Sequence, residues 1–230
     1  MAKLKKLRKY KIHREGVNII AIFFVVYCGI NLLAYYFFPK GALIATFSVT
    51  TIFFLLVVNF FRSPRRHFPE YDEGLIVASA DGRIVVIEEV MENEYFHDKR
   101  LQISIFMSVV NVHANWYPID GKVVSVKHHK GRFQAAWLPK SSTENERSTI
   151  VLKTDTGVEI LVRQVAGALA RRIVTYAKPG CECDIEEHMG FIKFGSRVDI
   201  YLPLGSTPMV EMEQRVTGCQ TILAKLNTVN

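Results

Sequence analysis

Two long uncharged runs near the N-terminus constrain this chain more than any other feature. Val17–Phe38 (VNIIAIFFVVYCGINLLAYYFF) carries no Asp, Glu, Lys or Arg in 22 positions, and Gly41–Phe61 (GALIATFSVTTIFFLLVVNFF) carries none in 21. As α-helices each would be about 30 Å long, roughly the hydrocarbon thickness of a bilayer. Only Pro39-Lys40-Gly41 is strongly turn-forming between them. The pair therefore reads as a transmembrane helical hairpin that enters and leaves on one side and satisfies its own backbone. A cleaved signal peptide fits poorly, because the first run is too long, no small-residue cleavage site follows it and a second run comes at once. A buried helical pair in a soluble core is the competing reading, and the basic ends of the runs argue against it.

Charge separates the chain into two parts. The formal net charge is +7. Residues 1–69 hold 11 Lys/Arg against one acid, Glu15, while residues 70–230 hold 18 Lys/Arg against 21 Asp/Glu. The basicity thus belongs to the N-terminal segment, and nucleic-acid binding by the larger part loses its main electrostatic support. Lys3, Lys5, Lys6, Arg8, Lys9, Lys11 and Arg14 precede the first run, Arg62, Arg65 and Arg66 follow the second, and Lys40 stands alone at the turn. The positive-inside rule then puts both ends, and the domain beyond them, on the cytoplasmic face of the cell membrane. The same flanks suit anionic headgroups. With 230 residues, 49% hydrophobic and 22% charged, the chain is neither a polyelectrolyte nor a many-span transporter, and four Cys exclude a disulfide-stapled scaffold.

The expected organisation is a basic N-terminus over 1–16, the two-helix membrane hairpin over 17–61, a Pro-containing linker over 62–72 and a mainly β, barrel- or sandwich-like domain over 73–230. Short β-branched runs at Gly74–Ser79, Arg83–Val90, Gln102–Val109, Lys122–Lys127, Phe133–Trp137, Ser148–Lys153 and Val158–Gln164 read as strands. Asp81-Gly82, Asp120-Gly121 and Asp155-Thr-Gly157 read as turns, Pro139–Ser148 as a polar surface loop, and Val165–Tyr176 as a short helix. Ala80-Asp81-Gly82-Arg83-Ile84-Val85 echoes Ile119-Asp120-Gly121-Lys122-Val123-Val124, which fits two similar turn-to-strand entries.

Several chemistries lack their motifs. No phosphate-binding glycine loop, HExxH or GxSxG is present. Cys181-Glu-Cys183 has a poor zinc spacing, and His128-His129 would point to opposite faces of a strand, so no metal is expected. The segment Met189-Gly-Phe-Ile-Lys-Phe-Gly195-Ser196-Arg-Val-Asp-Ile-Tyr-Leu-Pro203 stands out because its Gly-Ser pair is set among apolar, β-prone residues. Gly inside a strand pattern marks a close backbone approach or a special conformation.

That segment resembles the processing site of the short bacterial phosphatidylserine decarboxylase proenzymes. Ala80-Asp81-Gly82 resembles the family's aspartate motif, and Ser108–Pro118 its Ser-x-x-x-Val-His-x-Asn-x-x-Pro segment. Arg163–Ile173 and Gln214–Gly218 also fit, in order, across residues 15–226. A longer branch has a second histidine where this chain has Trp116, and cleaves at a Leu-Gly-Ser-Thr motif that Leu204–Thr207 spells out. Gly195-Ser196 is preferred over Gly205-Ser206 because Met-Gly-x-x-Lys precedes it, as in the short branch.

The resemblance implies a self-made cofactor. Ser196 attacks the carbonyl of Gly195 with His113 as base and Asp81 orienting the histidine. The ester then breaks by elimination, leaving a pyruvoyl group at residue 196. A large chain, 1–195, and a small chain, 196–230, stay together as a heterodimer. The pyruvoyl carbonyl forms a Schiff base with phosphatidylserine, CO2 leaves, His113 again serves as acid/base, and phosphatidylethanolamine is released. The implied partners are phosphatidylserine and membrane lipid, with no nucleic acid and no metal. Arg197, Arg100 and Arg132 are phosphate-binding candidates by charge alone, and more simply solvated surface arginines. The alternatives are a membrane-tethered β-domain binding module without catalysis, and a pyruvoyl decarboxylase acting on another amine-carboxylate lipid.

Overall fold

The computed structural model describes residues 12–68, 74–131, 145–167, 172–193 and 196–227. The chain divides into two units, Met1–Arg65 and Arg66–Asn230.

The first unit is a pair of apolar helices, α1 (Val17–Phe37) and α2 (Lys40–Phe60), entered by a 3-10 turn at Arg14–Gly16. Pro39 caps α2 from an extended conformation, where its fixed φ and missing N–H cost the helix nothing. Both helices are long and apolar enough to cross a membrane. Ala34 is the buried residue of α1 and Phe60 that of α2, while Ile22, Val25, Phe37, Ile44 and Val49 lie open. An outward-facing apolar surface of this kind fits lipid rather than the buried soluble pair. The few polar side chains answer one another between the helices: Asn31 Nδ2 donates to Thr50 Oγ1 at 2.9 Å, and Tyr27 Oη lies 3.1 Å from Thr51 Oγ1. Such pairing is what polar groups require at membrane depth.

The second unit is mostly β. Its main sheet contains β2 (Gly82–Glu92), β3 (Asp98–Met107), β5 (Gly121–His129), β6 (Arg147–Lys153), β7 (Glu159–Ala166), β9 (Glu182–Cys183), β11 (Ser196–Pro203) and β13 (Arg215–Val216). Their order is β13-β2-β3-β11-β7-β6-β5-β9, and the sheet curls into a half-barrel. One small sheet joins β1 (Leu75–Val77), β14 (Ile222–Lys225) and β12 (Thr207–Pro208); another joins β4 (Ala114–Trp116), β10 (His188–Ile192) and β8 (Ile173–Thr175). All described pairings are antiparallel.

Strand alternation sorts the main sheet into two faces. Ile103, Ile105, Met107, Ile150, Leu152, Ile160, Val162, Val198, Ile200 and Leu202 enter the principal core. From the same strands Val151, Leu161 and Tyr201 form a separate apolar cluster. The sheet is therefore buried on both faces at its centre, which is why β11 is buried from Ser196 to Leu202.

Differences from the sequence reading are specific. The helix expected over Val165–Tyr176 is absent where the chain is described: Val165 and Ala166 finish β7, and Ile173–Thr175 is β8. The Val/Ile content of that segment wins over its apolar spacing. Strands β4, β8, β9 and β12–β14 are short and not among the expected runs, while β10 and β11 fall in the β-prone segment Met189–Pro203. The expected strand Phe133–Trp137 lies outside the described residues, as does Pro139 to residue 144 of the expected loop, whose last residues Arg147 and Ser148 open β6. The repeated Asp-Gly entry does more than turn the chain. Asp81 Oδ1 accepts from the Gly218 amide at 2.9 Å, and Asp120 Oδ1 from the Ile185 amide at 2.7 Å. A Cβ at Gly82 would fall 2.1 Å from the Phe106 carbonyl oxygen, so β2 can start there only with glycine.

Candidate active site

Ser196 opens β11, the strand held between β3 and β7, and pairs with Met107 on one side and Ala166 on the other. It is fully buried. Among the described residues its hydroxyl has one hydrogen-bonding contact, the Met107 sulfur at 3.8 Å. A thioether is a weak acceptor. Among the described residues the hydroxyl thus meets only a weak acceptor, unlike that of Ser206, which sits in the β11–β12 turn and donates to the Pro203 carbonyl at 2.8 Å. Gly195 and Phe194 lie outside the described residues.

His113 precedes β4 and is also fully buried. Its carbonyl accepts from the Ile192 amide at 3.3 Å, which ties it to β10, the strand leading toward Ser196. Its ring lies 6.5 Å from that of Phe191, centroid to centroid. Nδ1 is 3.0 Å from the Asn111 carbonyl oxygen. A carbonyl can only accept, so Nδ1 carries a proton; in a neutral ring the lone pair then lies on Nε2, the form a general base needs.

Asp81 is held by other groups. Arg66 grips its carboxylate with both terminal nitrogens, Nη2 to Oδ2 at 2.7 Å, and Gly218 adds its amide. Arg66 Nη1 also donates to the Gly218 carbonyl at 2.8 Å, and its guanidinium lies 4.6 Å from the centre of the Trp116 ring. The Trp116 amide donates to the Ser79 carbonyl at 2.9 Å. Asp81 thereby braces the strand that begins one residue after His113. The sequence reading placed Arg66 in the linker as one of several basic residues; nothing in its spacing distinguishes it from Arg65.

A chain of buried polar side chains runs beside Ser196. Asn115 Nδ2 lies 3.6 Å from the same Met107 sulfur. Gln164 Nε2 donates to Asn115 Oδ1 at 2.8 Å, and the Thr175 hydroxyl is 2.9 Å from Gln164 Oε1 and 2.8 Å from Ser148 Oγ. Asn115 and Gln164 are fully buried. Asn115 stood within the His113 motif but carried no role of its own, and Gln164 read as an ordinary strand residue.

The opposite face of β11 carries ions. Arg197 is only 1% exposed, not the solvated surface arginine expected, and its Nε is 2.8 Å from Asp199 Oδ1. Arg163 meets Glu92 at 2.8 Å, Glu94 at 3.0 Å and the Tyr201 hydroxyl at 2.6 Å. Burial works against the Arg163 charge, but Tyr201, Glu94, Asp199 and Glu92 outweigh it and raise the pKa. Burial, with Asp199 beside it, pushes the Tyr201 phenol up. Arg163, Arg197, Glu92, Glu94 and Tyr201 line a cavity of about 590 Å³ with Val90, Met91 and Gln102. Neither Ser196 nor His113 lines it. Of the other phosphate candidates, Arg100 is forked onto Asp98 and packed on Phe96, and Arg132 lies outside the described residues. Among the described residues no group of three or more His, Cys, Asp or Glu is placed to hold a metal.

The phosphatidylserine decarboxylase family profile matches residues 53–224. A phosphatidylserine decarboxylase proenzyme of Bacteroides thetaiotaomicron is 60% identical over 227 residues, covering 98% of this chain and 100% of the relative. One from Parabacteroides distasonis is 58% identical over 94% of this chain and 99% of the relative. A more distant one, from Cytophaga hutchinsonii, is 46% identical over 93% of this chain and 98% of the relative.

Proposed function

The chain belongs to the phosphatidylserine decarboxylase family, and from that premise we propose that it is a proenzyme that cleaves itself between Gly195 and Ser196 and converts residue 196 into a covalent pyruvoyl group. The observation that carries this reading is the Ser196 hydroxyl: buried, at the head of the central strand, and contacting a sulfur rather than a strong acceptor. Among the described residues, removing that oxygen sacrifices only the contact to the Met107 sulfur, and Met107 and Ala166 offer apolar neighbours to a planar carbonyl. The residues present therefore fit the group.

The residues divide the work as follows. Ser196 Oγ is the nucleophile, and a hydroxyl needs a base. His113 takes its proton on Nε2, with Nδ1 fixed by Asn111. Asp81 orients His113 by bracing its strand through Arg66, Trp116 and Gly218. Oγ adds to the Gly195 carbonyl, the peptide C–N bond breaks and the nitrogen of residue 196 is protonated, giving an ester. Loss of the Cα proton then expels the Gly195 carboxylate from Cβ. Tautomerisation, addition of water and departure of ammonia leave the ketone. When formed, the pyruvoyl group supplies an electrophile for the amine of phosphatidylserine and a sink for the electrons released with CO2. His113 holds the proton to be returned to the product carbon.

The sheet supports a heterodimer of chains 1–195 and 196–230. β11 is bonded on both edges to strands of the large chain, and β14 lies between β1 and β12. Cleavage at its head leaves those ladders intact. The two apolar helices would keep the enzyme at its insoluble substrate, and their basic flanks favour a cytoplasmic catalytic domain in the cell membrane.

Intact mass of the detergent-solubilised protein tests the reading. The expected result is two species, one ending at Gly195 and one beginning with a pyruvoyl-blocked residue 196. Cleavage at Gly205 would keep the chemistry and move the group. One unbroken chain, still intact after incubation with lipid, would overturn the mechanism and leave a tethered binding module. Product analysis with phosphatidylserine against other amine-carboxylate lipids identifies the substrate.

A further inference from the structure

The turn between β3 and β4 holds two valines in the open. Ser108-Val109-Val110-Asn111 is closed by Asn111, whose amide donates to the Ser108 carbonyl at 2.9 Å. Asn111 Oδ1 accepts from the Ser108 amide at 2.9 Å and from the Ser108 hydroxyl at 2.7 Å. The centre of such a turn ordinarily takes Gly, Pro, Asn, Asp or Ser. Here it takes two β-branched apolar residues, 49% and 60% exposed. Single surface valines are ordinary. Two side by side, on a tip tied by three hydrogen bonds, form a fixed apolar knob.

The knob stands at the reacting end of the second unit. Met107, the strand partner of Ser196, ends β3 one residue before the turn, and His113 comes two residues after it. The His113 carbonyl takes the Ile192 amide, and the next residue, Lys193, donates its amide to the Arg172 carbonyl at 3.3 Å. The apolar tip and two basic residues, Arg172 exposed and Lys193 half-buried, thus surround the segments that carry Ser196 and His113. Two acids near this end are engaged: Asp81 is gripped by Arg66, and Glu146 is 17% exposed beside His128. The far end of β11, eight residues or about 25 Å away, carries Leu204, 48% exposed.

We propose that this end of the second unit docks on an anionic phospholipid bilayer, with Val109 and Val110 in the acyl region and Arg172 and Lys193 against the headgroup phosphates. This rests on the reading of the site given above, in which the substrate is a lipid. Apolar side chains gain by leaving water for acyl chains, and cations gain at an anionic surface. A second copy docked by the same patch would set Arg172 and Lys193 against themselves, and like charges oppose that. On the bilayer, a lipid presents its headgroup to the site with both chains still in place.

The depth of the tip tests this in the full chain, reconstituted in vesicles of phosphatidylcholine and phosphatidylglycerol. Cys28→Ser and Cys181→Ser leave only the buried Cys183 and Cys219. Val110→Cys or, at the far end, Leu204→Cys then carries an NBD fluorophore. Ser196→Ala keeps every chain uncleaved, so the readout is independent of self-processing. NBD at position 110 should emit further to the blue and be quenched several-fold more by doxyl-labelled acyl chains than NBD at position 204, which iodide should quench instead. Omitting phosphatidylglycerol, or combining Arg172→Glu with Lys193→Glu, should weaken the doxyl quenching at 110. In the active chain, the ratio of turnover on vesicle phosphatidylserine to turnover on monomeric dihexanoyl phosphatidylserine should fall about tenfold in Val110→Asp and hold in Leu204→Asp. Iodide quenching at 110 equal to that at 204 would overturn the proposal. Shielding from iodide without doxyl quenching would overturn it too, and assign the tip to a contact between copies. Doxyl quenching indifferent to anionic lipid and to both charge reversals would overturn the part given to Arg172 and Lys193. Failure of the unaltered chain to cleave at Gly195–Ser196 would overturn the reading of the site and leave the depth measurement standing.

Discussion

Arg66 and Asp81 meet fork to fork: Nη2 lies 2.7 Å from Oδ2 while Nη1 takes Oδ1, and the two side chains are 8% and 13% exposed. The guanidinium is also stacked over Trp116 and bonded to the Gly218 carbonyl. A lysine cannot reproduce this, because it offers a point charge rather than a planar fork. Arg66→Ala strands a largely buried carboxylate and is expected to lower stability by about 3–5 kcal/mol. Arg66→Lys should fall between it and the unaltered chain in urea unfolding, and both should slow self-cleavage by loosening the strand that follows His113. A lysine variant with unaltered midpoint and cleavage rate would show that the fork is dispensable.

Gly190 is sealed in by the buried polar chain it faces. A Cβ there would fall 2.4 Å from Gln164 Nε2 and 2.5 Å from the Val174 carbonyl oxygen, and the carbonyl belongs to a paired strand that cannot swing aside. Gly190→Ala should therefore destabilise the fold by about 1–3 kcal/mol through overpacking. It should also push Gln164 off Asn115 and slow cleavage. An unchanged urea midpoint would mean that β10 yields more readily than its pairing suggests.

How much of this was legible follows from the range of each signal. The two apolar helices and the β character of the second unit come from local composition and periodicity, which one sequence carries in full. Strands β2, β3, β5, β6 and β7 were bounded to within a few residues for the same reason. The short strands β4 and β8 were not, because three residues cannot show a period, and the described ends of the Val165–Tyr176 segment, expected as helix, are strand. Ser196 and His113 are singled out by motif; Ser196 opens β11 of the main sheet and His113 precedes β4 of a separate small sheet. The partners of Asp81 were invisible: Arg66 is 15 residues away in sequence and Gly218 is 137. Gln164 and Asn115 are 49 apart, and only the fold makes them neighbours.

Glu94 should link stability to acid pH. Burial raises its pKa, but Arg163, the hydrogen bond and charge of Arg147, and Thr149 outweigh that and lower it below 4.5. Arg147 Nε lies 2.7 Å away and Thr149 Oγ1 3.0 Å. A depressed carboxylate stabilises the fold above its unfolded pKa and stops doing so as pH falls through the folded one. Glu94→Gln should therefore be less stable than the unaltered chain at pH 7. The gap should narrow as pH drops below about 4.5. Urea titrations at neutral and acid pH check this, and a gap independent of pH would assign the loss to packing.

Cysteine chemistry can read the orientation of the second unit. Cys181 is exposed, whereas Cys183 is 6% and Cys219 0% exposed. Burial, then Asp120, Glu187, Asp184 and Asp155, pushes the Cys183 thiol up to about 12, so it is protonated and slow to react near neutrality. Cys28 lies within α1, in the proposed span, out of reach of a membrane-impermeant maleimide. The reagent should thus report on Cys181 alone in the folded protein. With the second unit in the cytoplasm, inverted membrane vesicles label and intact spheroplasts do not. Cys181→Ser should abolish the signal from inverted vesicles. Equal labelling of spheroplasts would place Cys181 outside and overturn the orientation drawn from the basic flanks.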